Sequence, residues 1–212
     1  LMLYALFAGA RTQDMVQQRT KAQFEHLVEQ RLDALARTQA SLIQRELEAP
    51  LLLARGLATT NALMGMNGPD GNAQLKVPRG QMISLLRETV VRNPKILCAY
   101  IAWEPNAIDH DDANYVNSPV LGMEADGRFL PWWFRNQDGT LGLEKLADVT
   151  DQKLLSTGIR ASEYYLCSRD SKKACVIDPA PYRVGNTITK LALFIEPIKV
   201  AGKVQGIVGG DL

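Results

Sequence analysis

Residues 12–49 contain neither glycine nor proline, and that absence constrains the fold more than any other feature. The stretch is rich in Gln, Arg, Glu, Leu and Ala. Its apolar side chains recur at Phe24, Leu27, Val28, Leu32, Leu35, Leu42, Ile43 and Leu47, a helical period with a charged opposite face. Val28, Leu35 and Leu42 are also spaced by heptads. Such a helix is longer than a small domain needs for its own core. It either lies along its own domain or joins a second copy of itself, giving a homodimer through residues 11–60. Pro50 interrupts the pattern without ending it, because residues 51–63 continue it; a kink or a fresh helix start is expected there.

Residues 1–10 are almost wholly apolar and end at Arg11. They are too few to cross a bilayer, which takes about 20 residues. No basic leader or cleavage site marks them as a signal peptide. They read as the outer end of a transmembrane helix, or else as an apolar helical turn packed in a core. On the membrane reading, everything after them lies outside the cytoplasm, where a disulfide can persist.

Past the long helix, residues 66–79 concentrate Gly, Pro, Asn and Asp and read as an exposed loop. A second helix over 81–92 presents Met82, Leu85, Leu86, Thr89 and Val90 on one side and stops before Pro94. Strand signals then dominate. Residues 96–103 are β-branched and aromatic, and 120–123 and 128–135 flank Asp126-Gly127 as a hairpin. Residues 148–158 read as a helix or helical turn. Strands are expected over 174–178, 187–200 and 204–212, with a polar hairpin between Cys167 and Cys175. Two helices followed by hairpin-linked strands give an α+β fold with an antiparallel sheet.

Acids and bases nearly balance, at 23 against 24, so no basic face is available for nucleic acid. Three cysteines and two histidines fit no zinc spacing, and no nucleophile–base pair can be assembled. No metal, cofactor or catalytic role is expected. The carboxylates and aromatic residues of the last fifty positions instead suggest a pocket that holds a small polar molecule unchanged.

Several motifs in order carry a resemblance: the long first helix, Tyr100-Ile-Ala-Trp103-Glu104-Pro105, Asp126-Gly127-Arg128-Phe129, Pro131-Trp132-Trp133, Tyr164-Tyr165, the Cys167/Cys175 pair, and the run from Gly206 to Asp211. Together they resemble the Cache family, and more narrowly the membrane-distal module of double-Cache sensor domains in bacterial methyl-accepting chemotaxis receptors. The resemblance implies a PAS-like antiparallel sheet flanked by helices over residues 61–212. It implies a periplasmic domain anchored in the bacterial inner membrane, and a bound amino acid or amine. The output domain, whether for chemotaxis, a histidine kinase or a cyclase, is not legible. In amino-acid-binding relatives the aspartate matching Asp211 contacts the ligand ammonium, and Asp178 lies near where a second one is placed. Arg128 resembles the arginine that holds the ligand carboxylate, but Phe129-Leu130-Pro131 separates it from the aromatic pair. That spacing favours ligands without an α-carboxylate. The Cys167/Cys175 pair would close a loop of about eight residues, worth about 2–3 kcal/mol.

The residues themselves agree with a cationic ligand, which needs carboxylates at charge-assisted distance and gains from aromatic faces. Strand alternation sends Trp132 and Trp133 to opposite faces, and likewise Tyr100 and Trp103, so one of each pair is expected in the pocket. Tyr165 and Tyr182 are further phenol candidates. Asp109, Asp111 and Asp112 form an acidic loop, either a lid over a cation or a solvated segment. Two rival readings stand beside this one: an organic acid held by Arg128 and Arg135, and an adaptor that contacts a periplasmic binding protein.

Overall fold

The computed structural model describes residues 2–118 and 120–212, with side chains from Met15 onward. It divides into two units between Leu47 and Glu48. Helix α1 (Met2–Gly65) supplies all of the described first unit and continues into the second. Pro50 lies inside α1, so the helix runs through it and forgoes one backbone donor there. The stripe from Phe24 to Leu47 is exposed at every apolar position named above. The reading of residues 1–10 as a membrane-helix end concerns side chains outside the described residues. Among the described residues no helix is long and apolar enough to cross a membrane.

The second unit is a six-stranded sheet in which every neighbouring pair is antiparallel. Its strands are β1 (Cys98–Trp103), β2 (Pro131–Arg135), β3 (Leu141–Lys145), β4 (Cys175–Val184), β5 (Thr187–Val200) and β6 (Lys203–Asp211), in the order β3-β2-β1-β6-β5-β4. Buried β1 lies at the centre against β6, with Tyr100 opposite Gly209 and Cys98 opposite Asp211. Alternation then separates two cores. Ala99, Ile101, Trp103 and Val208 pack with the end of α1 and with α2 (Arg79–Arg92). Cys98, Tyr100, Phe134, Leu193 and Ile207 pack on the other face with α3 (Glu163–Ser171). This is the α+β architecture with an antiparallel sheet.

Three local expectations are corrected. The strand hairpin carrying Asp-Gly is the β2–β3 pair, turned at Asp138-Gly139, whereas Asp126-Gly127 turns between residues joined by a single bridge, Met123 to Phe129. Residues 148–158 are not helical. The Asp148 carboxylate accepts from the backbone N–H and hydroxyl of Thr150, and the Asp151 carboxylate accepts from the N–H of Lys153, which is turn chemistry. The polar hairpin expected between Cys167 and Cys175 is not found: residues 168–171 form the last turn of α3. Arg160 grips Glu163 and Asp170 along it, and Lys172 closes it in the left-handed conformation. A Cys167–Cys175 disulfide ties α3 to the start of β4, and Cys98 is free and buried.

The long excursion between β1 and β2 is held by Arg79, which sequence patterning placed in an exposed loop. Its guanidinium is buried at the first turn of α2. It donates to Asp109 at 2.6 and 2.8 Å, to Asp112 at 2.6 Å and to the Gly127 carbonyl at 2.7 Å, and it stacks 4.1 Å from the Tyr115 ring. Burial, the largest single influence, would raise the Asp109 carboxyl, yet the Arg79 hydrogen bonds and charge together with the Asp111 backbone N–H hold it below the usual carboxylate range. Gly127, at φ +89°, has no room for a side chain, because a Cβ there would sit 1.9 Å from the Asp112 carbonyl oxygen. Removing one partner of a buried ion pair leaves the others uncompensated. Arg79→Met should therefore cost about 3 kcal/mol in urea unfolding, and a loss below about 0.5 kcal/mol, the level of an exposed ion pair, would contradict the clamp.

Candidate functional site

A cavity of about 240 Å³ opens on the α3 side of the sheet. β1 contributes Tyr100, β2 Trp132, β4 Tyr182 and β6 Asp211, while α3 and the turns before it add Tyr164, Asp148 and Asp151. Each strand residue is there because alternation turns it to this face. Tyr100 fits because Gly209, its partner on β6, leaves the space its ring occupies; a Cβ at 209 would lie 2.1 Å from that ring. The Tyr100 and Tyr164 rings meet edge to face at 6.3 Å, and Trp132 leans on Phe134 at 4.6 Å.

The electrostatics of the cavity are set by Asp211, which is 3 % exposed. Its Oδ1 has no hydrogen-bond partner in the protein, and the same is true of the buried hydroxyls of Tyr100 and Tyr182. Burial pushes the Asp211 carboxyl well above its ordinary range, with the Phe194 backbone and then the nearby Tyr100 hydroxyl opposing it. Burial, followed by the charge of Asp211, raises the phenols of Tyr100 and Tyr182. Burial also pushes the Tyr164 phenol up to about 12. Buried polar groups in folded proteins are normally paired, so unpaired oxygens around one void mark a place for a ligand donor. Asp148 and Asp151 add two carboxylates at the mouth, and Arg183 is the cation among the lining residues.

The other expected residues lie elsewhere. Trp133 and Trp103 face the helices: the indole of Trp133 donates to the Ile83 carbonyl at 2.9 Å, and that of Trp103 to Asn61 at 3.3 Å. Arg128 is buried outside the cavity, donating to the Trp103 carbonyl at 2.5 Å and to the Tyr165 hydroxyl at 2.6 Å, with Glu104 at 3.8 Å. Tyr165, beside it, donates to Glu104. Asp178 is exposed on the edge strand β4, where the register breaks between Ile177 and Ala180. Asp109 and Asp112 are spent on Arg79 and do not act as a lid. Arg135 donates to the Val90 carbonyl at the end of α2. Tyr164, Asp148 and Asp151 were missed. A recognisable signal preceded them in Asp148-x-Thr150 and Asp151-x-Lys153, a turn pattern that sets two carboxylates on one short loop.

No protein-family model matches the chain. Over 136 residues it is 30% identical to the methyl-accepting chemotaxis protein TlpQ of Pseudomonas aeruginosa, a match spanning 63% of this chain and 19% of that protein. Among solved structures it resembles the extracellular domain mmHK1S-Z2, assigned to a histidine kinase, with TM-score 0.64 and 26% identity over 82% of this chain and 56% of that one. Methyl-accepting chemotaxis protein X matches at TM-score 0.65 and 23% identity, over 90% of this chain and 64% of that one. The periplasmic sensory domain of the Campylobacter jejuni chemoreceptor Tlp1 shares the fold at TM-score 0.58. The chain thus spans about a fifth of the chemotaxis protein it matches and less than two thirds of these structures. Its fold is that of the extracellular and periplasmic domains of histidine kinases and chemotaxis receptors.

The raised Asp211 carboxyl carries a sign for stability. An aspartate whose folded pKa lies above its unfolded value of 3.8 binds more protons when folded, so it erodes stability as pH rises from about 4 toward the folded pKa. Asp211→Asn should flatten that part of the stability–pH curve, where the native slope approaches about 1.4 kcal/mol per pH unit. Parallel curves for the two proteins in urea unfolding between pH 4 and 8 would show that Asp211 is ordinary.

Proposed function

We propose that this cavity binds the ammonium group of a small cationic amine (a polyamine or biogenic amine) or an amino acid, and that the chain is the periplasmic sensor domain of a bacterial transmembrane chemoreceptor. The observation that carries the reading is the buried Asp211 carboxylate, whose Oδ1 has no hydrogen-bond partner, beside the buried hydroxyls of Tyr100 and Tyr182. An ammonium there would restore charge balance, form charge-assisted hydrogen bonds and lie near the faces of Trp132 and Tyr164. The two further carboxylates at the mouth add to the negative potential. Arg128 is occupied by Trp103, Tyr165 and Glu104, which supports amines without a carboxylate over α-amino acids. An amino acid would have to use Arg183, the lining cation. The organic-acid reading loses both of its arginines, since Arg135 caps α2 and Arg128 lies outside the cavity.

The exposed apolar stripe of α1 supports homodimerisation through the first unit. Phe24, Leu27 and Leu32 each stay more than half exposed, a cost that a partnered helix avoids. Binding at the cavity would shift the balance between two arrangements of the sheet and α1, and the helix would carry the difference toward the membrane.

Titration calorimetry against panels of amines and amino acids tests the reading. Asp211→Asn should weaken the amines that bind by about 10- to 100-fold, the worth of a charged hydrogen bond. Because an ammonium lowers the pKa of Asp211, binding should also release a proton, and affinity should rise with pH up to the folded pKa of the free protein. Amines that bind native protein and Asp211→Asn equally, or a panel without a single binder, would dismiss the ammonium site.

A further inference from the structure

We propose that Arg128 couples the cavity wall to helix α1 across the end of the sheet, a role that rests on the cavity being the ligand site. The sheet separates α3 from α1, and strand-to-strand hydrogen bonds run within its plane, not through it. Among the described residues a chain of hydrogen bonds, passing through the main chain of Trp103, crosses from face to face. Tyr164 lines the cavity, and the next residue of the same helix, Tyr165, turns its hydroxyl away from the cavity. That hydroxyl accepts from Arg128 Nη2 at 2.6 Å, and Arg128 Nε donates to the Trp103 carbonyl at 2.5 Å. The Trp103 indole, on the opposite face, donates to Asn61 Oδ1 at 3.3 Å, and Asn61 in turn donates to the Leu57 carbonyl of α1 at 2.8 Å.

Its members have little access to water. Tyr165, Trp103 and Asn61 are fully buried and Arg128 is 7 % exposed. A bond lost from such a network cannot be replaced by water, so its members prefer to move together. Tyr164 and Tyr165 ride on one nine-residue helix, which the Cys167–Cys175 disulfide ties to β4. A ligand that draws Tyr164 toward Asp211 therefore tilts the helix and pulls Tyr165 against Arg128. The displacement reaches Trp103 and then the last turns of α1. Arg128 is a positioning residue here: it touches no ligand and acts through Tyr165 and Trp103. A static bracket would hold the same residues without passing a perturbation on, and the two differ in what α1 feels.

Tyr165→Phe deletes one hydroxyl and keeps the ring, so the fold is retained. Amide hydrogen exchange should then accelerate about threefold or more at residues 57–65 while α2 stays unchanged, a local rather than global opening. Arg128→Lys, which keeps the charge but loses the two-pronged geometry, should do the same. With 1,4-diaminobutane as the probe, exchange at residues 57–65 should slow in native protein and not in Tyr165→Phe, whose affinity by calorimetry stays within about twofold, because the hydroxyl does not touch the ligand. Unchanged exchange in α1, equal acceleration in α1 and α2, or ligand-induced slowing that survives Tyr165→Phe would each overturn the coupling. If the diamine binds but its slowing survives Tyr165→Phe, the coupling alone falls; if the diamine fails to bind native protein, the ammonium reading falls and the coupling with it, because loosening of α1 by Tyr165→Phe alone is what a static bracket also gives.

Discussion

The pairing of β1 with β6 is the constraint on which the rest depends. It runs antiparallel from Cys98 opposite Asp211 to Trp103 opposite Gly206, at the middle of the sheet. Alternation from that register sends Tyr100 and Asp211 to one side and Trp103 and Val208 to the other. A slip of a single residue would turn one strand over relative to the other, parting Asp211 from Tyr100 and putting it on the same face as Trp103. The glycines of β6 support the same register. Gly209 admits the Tyr100 ring on the cavity side, and Gly210 lies close to Leu53 of α1 on the other.

Charge is handled in two opposite ways within one small domain. Arg79 and Arg128 are buried with partners at every side: carboxylates, carbonyls and aromatic faces hold them, and they in turn hold the long excursion between β1 and β2. Asp211 is buried as deeply, and its Oδ1 has no hydrogen-bond partner. Folding alone does not favour such a group, because an unpaired buried carboxylate is costly unless it takes up a proton. A site that must recognise a cation gains from it, since binding supplies the missing partner. The contrast between satisfied arginines and an unsatisfied aspartate is what distinguishes the cavity from the ordinary core around it.

Several expectations failed where local signals were shared by more than one structure. Asp-Gly occurs at 126–127 and 138–139, and both are turns, but only the second joins two strands of the sheet. Residues 148–158 have a composition a helix could use, yet Asp148 and Asp151 capture backbone donors two residues on and hold the chain in turns. Arg128 and Arg79 read as ligand or surface groups because sequence marks them as charged. Nothing local indicates that carbonyls and carboxylates distant in the chain will surround them.

The sequence by itself determined the long helix, the antiparallel strands, and the opposition of Trp132 to Trp133 and of Tyr100 to Trp103. Periodicity is a property of neighbouring residues, so these relations need no knowledge of what lies across the sheet. Only the tertiary structure decided which member of each pair faces the cavity, that Asp211 and not Asp178 is enclosed there, and that Asp109 and Asp112 belong to Arg79. Enclosure and pairing depend on residues brought together from distant parts of the chain, and distances of that kind have no trace in local order.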